Sequence, residues 1–188
     1  MANVIKYSKD KIIEVSLDIV RKEGISELSA RNIAKKLGSS VIPIFTYFNN
    51  MDDLKNEVIK EIVKIYDSYI EKGLEENSFK GSGVAYIKFA KENKNYFKVL
   101  FMNECKSNNI SGMFDTKGFK NEEINAEVSK KSGLSSKLIN KIRVHCWLTV
   151  HSIATMIVTN YCDFSDDEIS EILTDEYTAL VKKYKEES

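Results

Sequence analysis

Apolar residues recur three or four positions apart along most of the chain, which is the spacing of one face of an α-helix. In the N-terminal part this pattern predicts a helix over residues 8–23, a second over 29–37 and a third over 41–48. Gly38 separates the last two, and a glycine in this place accepts the left-handed backbone that ends a helix. The two short segments on either side of Gly38 are therefore predicted to form a helix-turn-helix.

The central part of the chain predicts one long helix and two short ones. Apolar residues four positions apart indicate a helix over residues 50–76, and Asn50 is placed to cap it. The glycine and serine residues within 78–83 predict a break. Two helices rich in aromatic residues are then expected over 84–93 and 95–103.

Two long helices are predicted at the C-terminal end. They follow a polar loop at 106–118 and a weaker helix over 121–131. The first covers residues 136–161, and the second begins at Ser165 with the capping box Ser-Asp-Asp-Glu. Both have wide apolar faces that exceed what one chain can bury. We therefore expect a homodimer through these last two helices, in a four-helix bundle.

The composition favours a helical fold. One proline and eight glycines among 188 residues leave little room for the turns of a β-sandwich. The predicted fold class is all-α, with about nine helices in total. We expect a three-helix helix-turn-helix head over residues 1–52 and a C-terminal helical bundle over residues 53–188.

Charge is unevenly distributed although it balances overall, with 28 lysines and arginines against 28 acids. Residues 1–48 contain eight lysines and arginines against five acids, whereas residues 163–188 contain nine acids against three lysines. A polyanion would therefore prefer the N-terminal end of the chain.

The cysteines and the apolar runs bear on cellular location. The three cysteines are scattered and include no Cys-x2-Cys pair, which argues against a disulfide framework and favours a reducing compartment. No run of about 18 apolar residues exists, and the N-terminus lacks the core of a signal peptide. We expect a cytoplasmic protein with no membrane partner.

Motifs for catalysis and metal binding are missing from the sequence, which has no glycine-rich phosphate loop, Gly-x-Ser-x-Gly or His-Glu-x2-His. The side chains of His145 and Cys146 would point about 100° apart on a helix, so they do not pair as base and nucleophile. With His151 and Cys162 included, the spacings still match no usual zinc set. We expect no enzyme activity, no metal and no cofactor.

Three consecutive stretches around Gly38 form an extended motif: the first predicted helix, then Ser29-x3-Ile-Ala-x2-Leu-Gly-x-Ser, then Ile44-Phe-x-Tyr-Phe-x2-Met-Asp-Asp-Leu. This motif resembles that of the TetR family of one-component transcriptional regulators. Members of this family are all-α homodimers whose helix-turn-helix binds a near-palindromic operator in double-stranded DNA. Their divergent C-terminal domain binds a small-molecule effector whose arrival releases DNA. The resemblance implies the same organisation here, most often that of a repressor.

The resemblance also implies which residues meet DNA. Ser29 and Arg31 occupy positions where the second helix of the family meets phosphate and sometimes a base, and Ser40 and Tyr47 occupy phosphate-contacting positions. The implied set lies within residues 29–48: Ser29, Arg31, Ser39, Ser40, Val41, Ile42, Phe45, Thr46 and Tyr47.

Two residues depart from the family pattern. Met51 replaces a common lysine and removes one expected phosphate contact. Pro43 stands where threonine or alanine is common. Ser39 or Ser40 is placed to cap the recognition helix, and we predict Ser40 as the cap. Pro43 then lies in the first turn, where the missing N–H has no helical partner.

The recognition helix is unusually apolar at its start. Val41 and Ile42 have no hydrogen-bond donor, so their base contacts would be made to thymine methyl groups. Hydrogen-bonded readout would be left to Arg31 and Thr46. We therefore expect A·T pairs opposite Val41 and Ile42.

A second, short similarity concerns the effector domain. Trp147-x3-His151-Ser resembles a Trp-x3-His-Gly pattern in one subgroup of TetR-like C-terminal domains, which implies that these two side chains line or brace its interior. The aromatic residues of this part are compatible with a plain core as well as with a ligand cavity. The candidate pocket residues are Tyr86, Phe89, Phe97, Phe101, Trp147 and His151.

Two hypotheses remain open from the sequence. The first is a homodimeric, effector-responsive transcriptional regulator. The second is an all-α ligand-binding or interaction protein that keeps the helix-turn-helix without a DNA function. The methionine at position 51 and the zero net charge favour the second hypothesis, and the extended motif favours the first.

Overall fold

A computed structural model describes residues 7–102 and 121–187 of the chain. These residues form α-helices and one 3₁₀-helix and contain no β-strand, which confirms the all-α prediction. The predicted loop at 106–118 lies outside the described residues. The elements are α1 (Lys9–Glu23), the 3₁₀-helix Ile25–Glu27, α2 (Ala30–Leu37), α3 (Ile42–Tyr47), α4 (Met51–Glu92), α5 (Lys94–Phe101), α6 (Asn121–Ser132), α7 (Ser136–Val158) and α8 (Asp166–Glu186).

The internal contacts divide the chain into two compact units. The first unit comprises Met1–Ile65 and Asn93–Asn103, and the second comprises Tyr66–Glu92 and Glu104–Ser188. Helix α4 therefore contributes residues to both units, and α5 belongs to the first. The expected division at residues 52 and 53 concerns the separation of DNA binding from effector binding, and it stays a prediction.

Helix α1 is the central element of the first unit. The Ser8 hydroxyl accepts a hydrogen bond from the Lys11 N–H at 3.1 Å and caps the helix. The buried face of α1 packs against α2, α3 and α5. The largest fully buried aliphatic side chains of this unit come from four of its helices: Ile12, Ile19, Ile33, Ile44, Leu54 and Ile62.

Helix α5 packs against α1 although about 70 residues separate them along the chain. The Tyr96 hydroxyl donates to the Leu17 carbonyl oxygen at 3.0 Å, and the Asn95 side chain donates to the Arg21 carbonyl oxygen at 3.0 Å. The Asn95 side chain thereby satisfies a carbonyl group in the last turn of α1, and the Tyr96 hydroxyl adds a second hydrogen bond between the two helices. The first unit is therefore larger than a three-helix head.

Helix α4 folds back on itself within the second unit. In a straight helix Tyr69 and Glu92 would lie about 34 Å apart at 1.5 Å per residue. Instead, the Tyr69 hydroxyl donates to Glu92 Oε2 at 2.5 Å, and the rings of Tyr66 and Phe89 meet edge to face with centroids 5.3 Å apart. The two arms of α4 are therefore antiparallel. Their reversal overlaps the break predicted at 78–83, although helical hydrogen bonding continues to Glu92.

The arms of α4 approach closely because they meet at glycine. A Cβ atom placed on Gly73 would overlap the carbonyl oxygen of Gly81 and lie only 2.6 Å from Cβ of Ala85. Gly83 allows a looser approach, because a Cβ there would lie 3.2 Å from a methyl carbon of Val150 on α7 and 3.5 Å from one of Leu173 on α8. Of these two glycines, only Gly73 faces backbone atoms, which cannot turn aside.

Helices α6, α7 and α8 complete the second unit. The predicted capping box of α8 is confirmed, since the Ser165 hydroxyl accepts from the Glu168 N–H and the Glu168 carboxylate accepts from the Ser165 N–H. Lys80, on the second arm of α4, donates to Ser170 and Thr174 on α8 at 2.8 Å each. Within the described ranges, no helix combines the length and the apolar character needed to cross a membrane.

Substitution of Gly73 by alanine should destabilise the protein by about 1–3 kcal/mol, because the added methyl group overpacks two backbones. The measurement is the free energy of unfolding from urea denaturation. Gly83→Ala is the matched control: its methyl group meets side-chain methyls, and alanine has the better helix propensity, so a smaller loss is expected. Equal stability of the two variants would contradict the close approach.

Candidate nucleic-acid interface

Gly38 ends α2 in the way that the sequence predicts. Its backbone is left-handed, with φ 62° and ψ 40°. The Gly38 N–H donates to the Lys35 carbonyl oxygen at 3.2 Å, and the Ser39 N–H donates to the Ala34 carbonyl oxygen at 3.0 Å. These two bonds form a Schellman motif, which satisfies carbonyl groups at the helix end. The angle between α2 and the following segment is therefore set by backbone hydrogen bonds.

Ser29 caps the start of α2. Its hydroxyl oxygen accepts a hydrogen bond from the Asn32 N–H at 3.2 Å, and the Asn32 side chain donates to the Glu27 carbonyl oxygen at 2.9 Å. In the cap the Ser29 hydroxyl acts as acceptor, so its own proton can still be donated, for example to a phosphate oxygen.

The predicted cap of α3 at Ser40 is wrong. Helix α3 begins at Ile42 after Val41, whose backbone is already helical, and no side chain caps it. A cap at Ser40 would bond the N–H of residue 42 or 43, and Pro43 removes one of these two donors because proline has no N–H. Pro43 itself lies at the second helical position, where a missing N–H leaves no helical bond unmade.

The inner face of α3 holds it in the first unit. Ile44 is fully buried, and Phe48 directly after the helix is 3% exposed. The Phe48 N–H donates to the Ile44 carbonyl oxygen at 3.1 Å, and the ammonium group of Lys9 lies 5.5 Å from the centre of the Phe48 ring. This short helix is therefore fixed by packing.

The outer face of α3 is apolar and exposed. Ile42 is 67% exposed, Phe45 45% and Val41 39%. Thr46 lies beside them, but its hydroxyl donates to the Ile42 carbonyl oxygen at 3.1 Å. The proton that Thr46 was expected to offer to a base is thus already used inside the helix.

The three cations of α2 differ in their surroundings. Lys36 bonds to Glu23 at 2.9 Å and to Asp18 at 3.3 Å, and the bond to Glu23 is the main cause that raises its pKa. Arg31 and Lys35 are exposed, and neither forms an ion pair with any residue that the structure describes. These two cations are therefore available to an anionic partner, whereas Lys36 is held by the first unit.

All nine residues implied in DNA contact belong to the first unit. Ser29 and Ser39 are half-buried and the other seven are exposed. The Ser39 hydroxyl donates to the Ser40 carbonyl oxygen at 2.9 Å. The structure thus brings the set together around α2 and α3, and the contact of each residue with DNA stays a prediction.

Four of the six candidate pocket residues belong to the second unit. The ring of His151 stacks on Trp147 with centroids 4.7 Å apart and planes 10° apart, and its Nδ1 lies 2.9 Å from the hydroxyl oxygen of Tyr86. Phe89 is fully buried beside them on α4. Tyr66 joins this group through its contacts with Tyr86 and Phe89.

Tyr66 was not predicted as a pocket residue, because its spacing places it on the apolar face of one long helix. That spacing does not indicate that α4 folds back. The other two candidates, Phe97 and Phe101, lie on α5 in the first unit, with ring centroids 5.1 Å apart. The six candidates are therefore divided between the two units. Their role in effector binding stays a prediction.

The second unit also has a shallow groove of about 440 Å³ along α8. None of the six candidates lines this groove. No group of three or more potential metal ligands is found within the described parts of the chain. The groove is lined by Tyr177, Thr178, Val181, Lys182, Lys185 and Glu186.

Burial lowers the pKa of the His151 imidazole below its ordinary value. The unfolded chain therefore binds a proton here more readily than the folded chain. The resulting stability is present above the ordinary histidine pKa of about 6.5 and is lost as the pH falls through the lowered value. Burial raises the pKa of Tyr86, so its hydroxyl stays protonated throughout this range.

We expect the free energy of unfolding of the wild type to fall from pH 7 to pH 5, and the His151→Gln variant to lose part of that fall. Urea denaturation at several pH values measures the slope. The matched comparison is His145→Gln, which removes the exposed histidine of the same helix. An unchanged slope in the His151 variant would contradict the assignment.

No protein-family model matches the sequence. No curated protein matches it either. Among solved structures, a protein described as a TetR family transcriptional regulator from Vibrio parahaemolyticus matches with a TM-score of 0.63 and 17% identity, over 91% of this chain and 97% of that chain. The fatty acid degradation regulator FadR from Bacillus halodurans matches with a TM-score of 0.58 and 18% identity, over 93% and 98%. The chain therefore has the TetR-type fold.

Proposed function

We propose that this chain is a DNA-binding transcriptional regulator, and that it binds a near-palindromic operator as a homodimer. The observation that carries the proposal is the surface made by α2 and α3. Arg31 and Lys35 lack acidic partners among the described residues, and they lie on the helix that precedes an exposed recognition helix. Such a surface suits double-stranded DNA, because phosphates attract the cations while the outer side chains reach the major groove.

Dimerisation is proposed through the last two helices, α7 and α8. Leu148 on α7 is 45% exposed, and the groove along α8 exposes apolar parts of Tyr177 and Val181. A second copy would cover this surface in a four-helix bundle. Two recognition helices would then enter successive major grooves about 34–36 Å apart.

Regulation by a small-molecule effector is proposed for the second unit. The aromatic group around His151 and Tyr86 supplies a ring surface and a hydrogen-bonded pair of polar atoms. Helix α4 contributes to both units, so an effector that favours one arrangement of its arms would bias the spacing of the DNA-binding surfaces. An equal spacing of the recognition helices in effector-bound and DNA-bound crystals would contradict this mechanism.

The second candidate function is an all-α ligand-binding or interaction protein without a DNA role. It is supported by Met51, which removes a phosphate contact, and by the zero net charge. A salt titration with duplex DNA discriminates between the two functions. A regulator loses affinity steeply with salt and keeps a sequence preference at physiological salt, whereas the alternative shows no such preference.

We expect Arg31→Ala to weaken binding to a duplex selected from a random library by about 1–3 kcal/mol if Arg31 contacts a base. The measurement is fluorescence anisotropy at fixed salt. Lys36→Ala is the matched control from the same helix, and it should change the affinity less because Asp18 and Glu23 already hold this lysine. Equal losses in the two variants would contradict the assignment of Arg31.

A further inference from the structure

We infer that Ile42 recognises the C5-methyl group of thymine, with Val41 and Phe45 beside it, so that the operator is selected at these positions by apolar contact. The inference rests on the proposed DNA binding and adds the chemistry by which the bases are read. It assigns the specificity of α3 to a residue type that donates no hydrogen bond.

The exposure of Ile42 is the first observation. At 67% it is the most exposed large aliphatic side chain of the described residues. Burying an isoleucine is worth about 1.5–3 kcal/mol, so its exposure leaves a substantial apolar contact unused in the free protein. Single exposed apolar residues are ordinary, but Val41, Ile42 and Phe45 lie together on a single short helix and its cap.

The position of this surface is fixed, which excludes fraying as the cause of the exposure. Ile44 and Phe48 anchor the opposite face of α3 in the core of the first unit. The Schellman motif at Gly38 fixes the preceding turn. The apolar side chains are therefore held outward by the packing of the same helix.

Hydrogen-bonded readout has few donors on this face. Helix α3 has the sequence Ile-Pro-Ile-Phe-Thr-Tyr and contains no charged residue. The Thr46 hydroxyl proton is used by the Ile42 carbonyl, and the Ser39 hydroxyl proton is used by the Ser40 carbonyl. In the major groove, thymine is the base that offers an apolar group, its methyl. An apolar surface therefore discriminates best at A·T pairs.

The flanking charges identify double-stranded DNA as the occupant of this surface. Arg31 and Lys35 lie one turn apart on α2 and are exposed without acidic partners among the described residues, so both can contact phosphates of one DNA backbone. In a symmetric contact, a second copy of the chain would bring the same two cations to the interface and would be repelled. The apolar face of α3 and the cations of α2 together favour double-stranded DNA, which combines phosphates with the methyl groups of thymine.

The test uses a duplex site selected by the wild-type protein from a random library. Each thymine of that site is then replaced in turn by deoxyuridine, which pairs identically but lacks the methyl group. We expect one or two positions per half-site at which the replacement weakens wild-type binding about fourfold, the value of one buried methyl-sized group. The Ile42→Ala variant should bind the thymine site more weakly and no longer distinguish deoxyuridine at those positions.

The control variant is Val63→Ala, which removes an exposed apolar side chain of the first unit on α4 and should keep the discrimination. Circular dichroism melting checks that both variants are folded. Sedimentation of the DNA-free proteins tests the competing occupant, and a change caused by Ile42→Ala would overturn the inference in favour of an interface between copies.

The remaining outcomes separate the inference from the proposed function. Sequence-selective, salt-dependent binding that is indifferent to deoxyuridine at every position would overturn thymine readout and leave the regulator function intact. Discrimination that persists in the Ile42→Ala variant would overturn the role of Ile42. The absence of any sequence-selective binding by the wild type would overturn both proposals.

Discussion

The close contact between the two arms of α4 is the constraint on which the second unit depends. Gly73 lets one arm approach the backbone of Gly81 on the other, and this approach brings the aromatic rings of Tyr66 and Phe89 into contact. The second arm then meets α7 through Gly83 and Tyr86. A side chain at position 73 would separate the arms, and the aromatic group around His151 would lose its partners from α4.

The first unit buries one face of the six-residue helix α3 and exposes the other. Such a short helix has little stability of its own, so packing has to hold it. Ile44 and Phe48 provide that packing, while Ile42 and Phe45 remain in solvent. Their exposure to water is unfavourable in the free protein, and a partner that covered these side chains would remove that free-energy cost. This division of faces connects the folding of α3 with its proposed function.

Few cations support the proposed interface, and the structure explains how they are distributed. Met51 removes one expected phosphate contact, and Lys36 is tied to Asp18 and Glu23 on α1. Arg31 and Lys35 remain to attract phosphates. Under the proposed function, fewer phosphate contacts would make the sequence-independent part of the affinity smaller, so recognition would depend more on base contacts and on the pairing of two copies.

The sequence by itself determined the features that arise within a few residues. Gly38 as the end of α2, the Ser29 and Ser165 caps and the all-α class all follow from local backbone chemistry and helical periodicity. Even the missing cap at Ser40 has a local cause, the proline three residues later. The candidate DNA-contacting residues could likewise be named from the sequence, because they lie within one short segment.

Only the tertiary structure decided which distant residues meet. The spacing of apolar residues shows which face of a helix is buried but not which element covers it. It therefore did not predict that α4 folds back or that α5 packs on α1. For the same reason it grouped Phe97 with Tyr86, which belong to different units. It also could not separate Lys36, held by Asp18 and Glu23, from Arg31 and Lys35, which form no ion pair with any residue that the structure describes. These contacts join residues far apart in the chain, where local spacing carries no information.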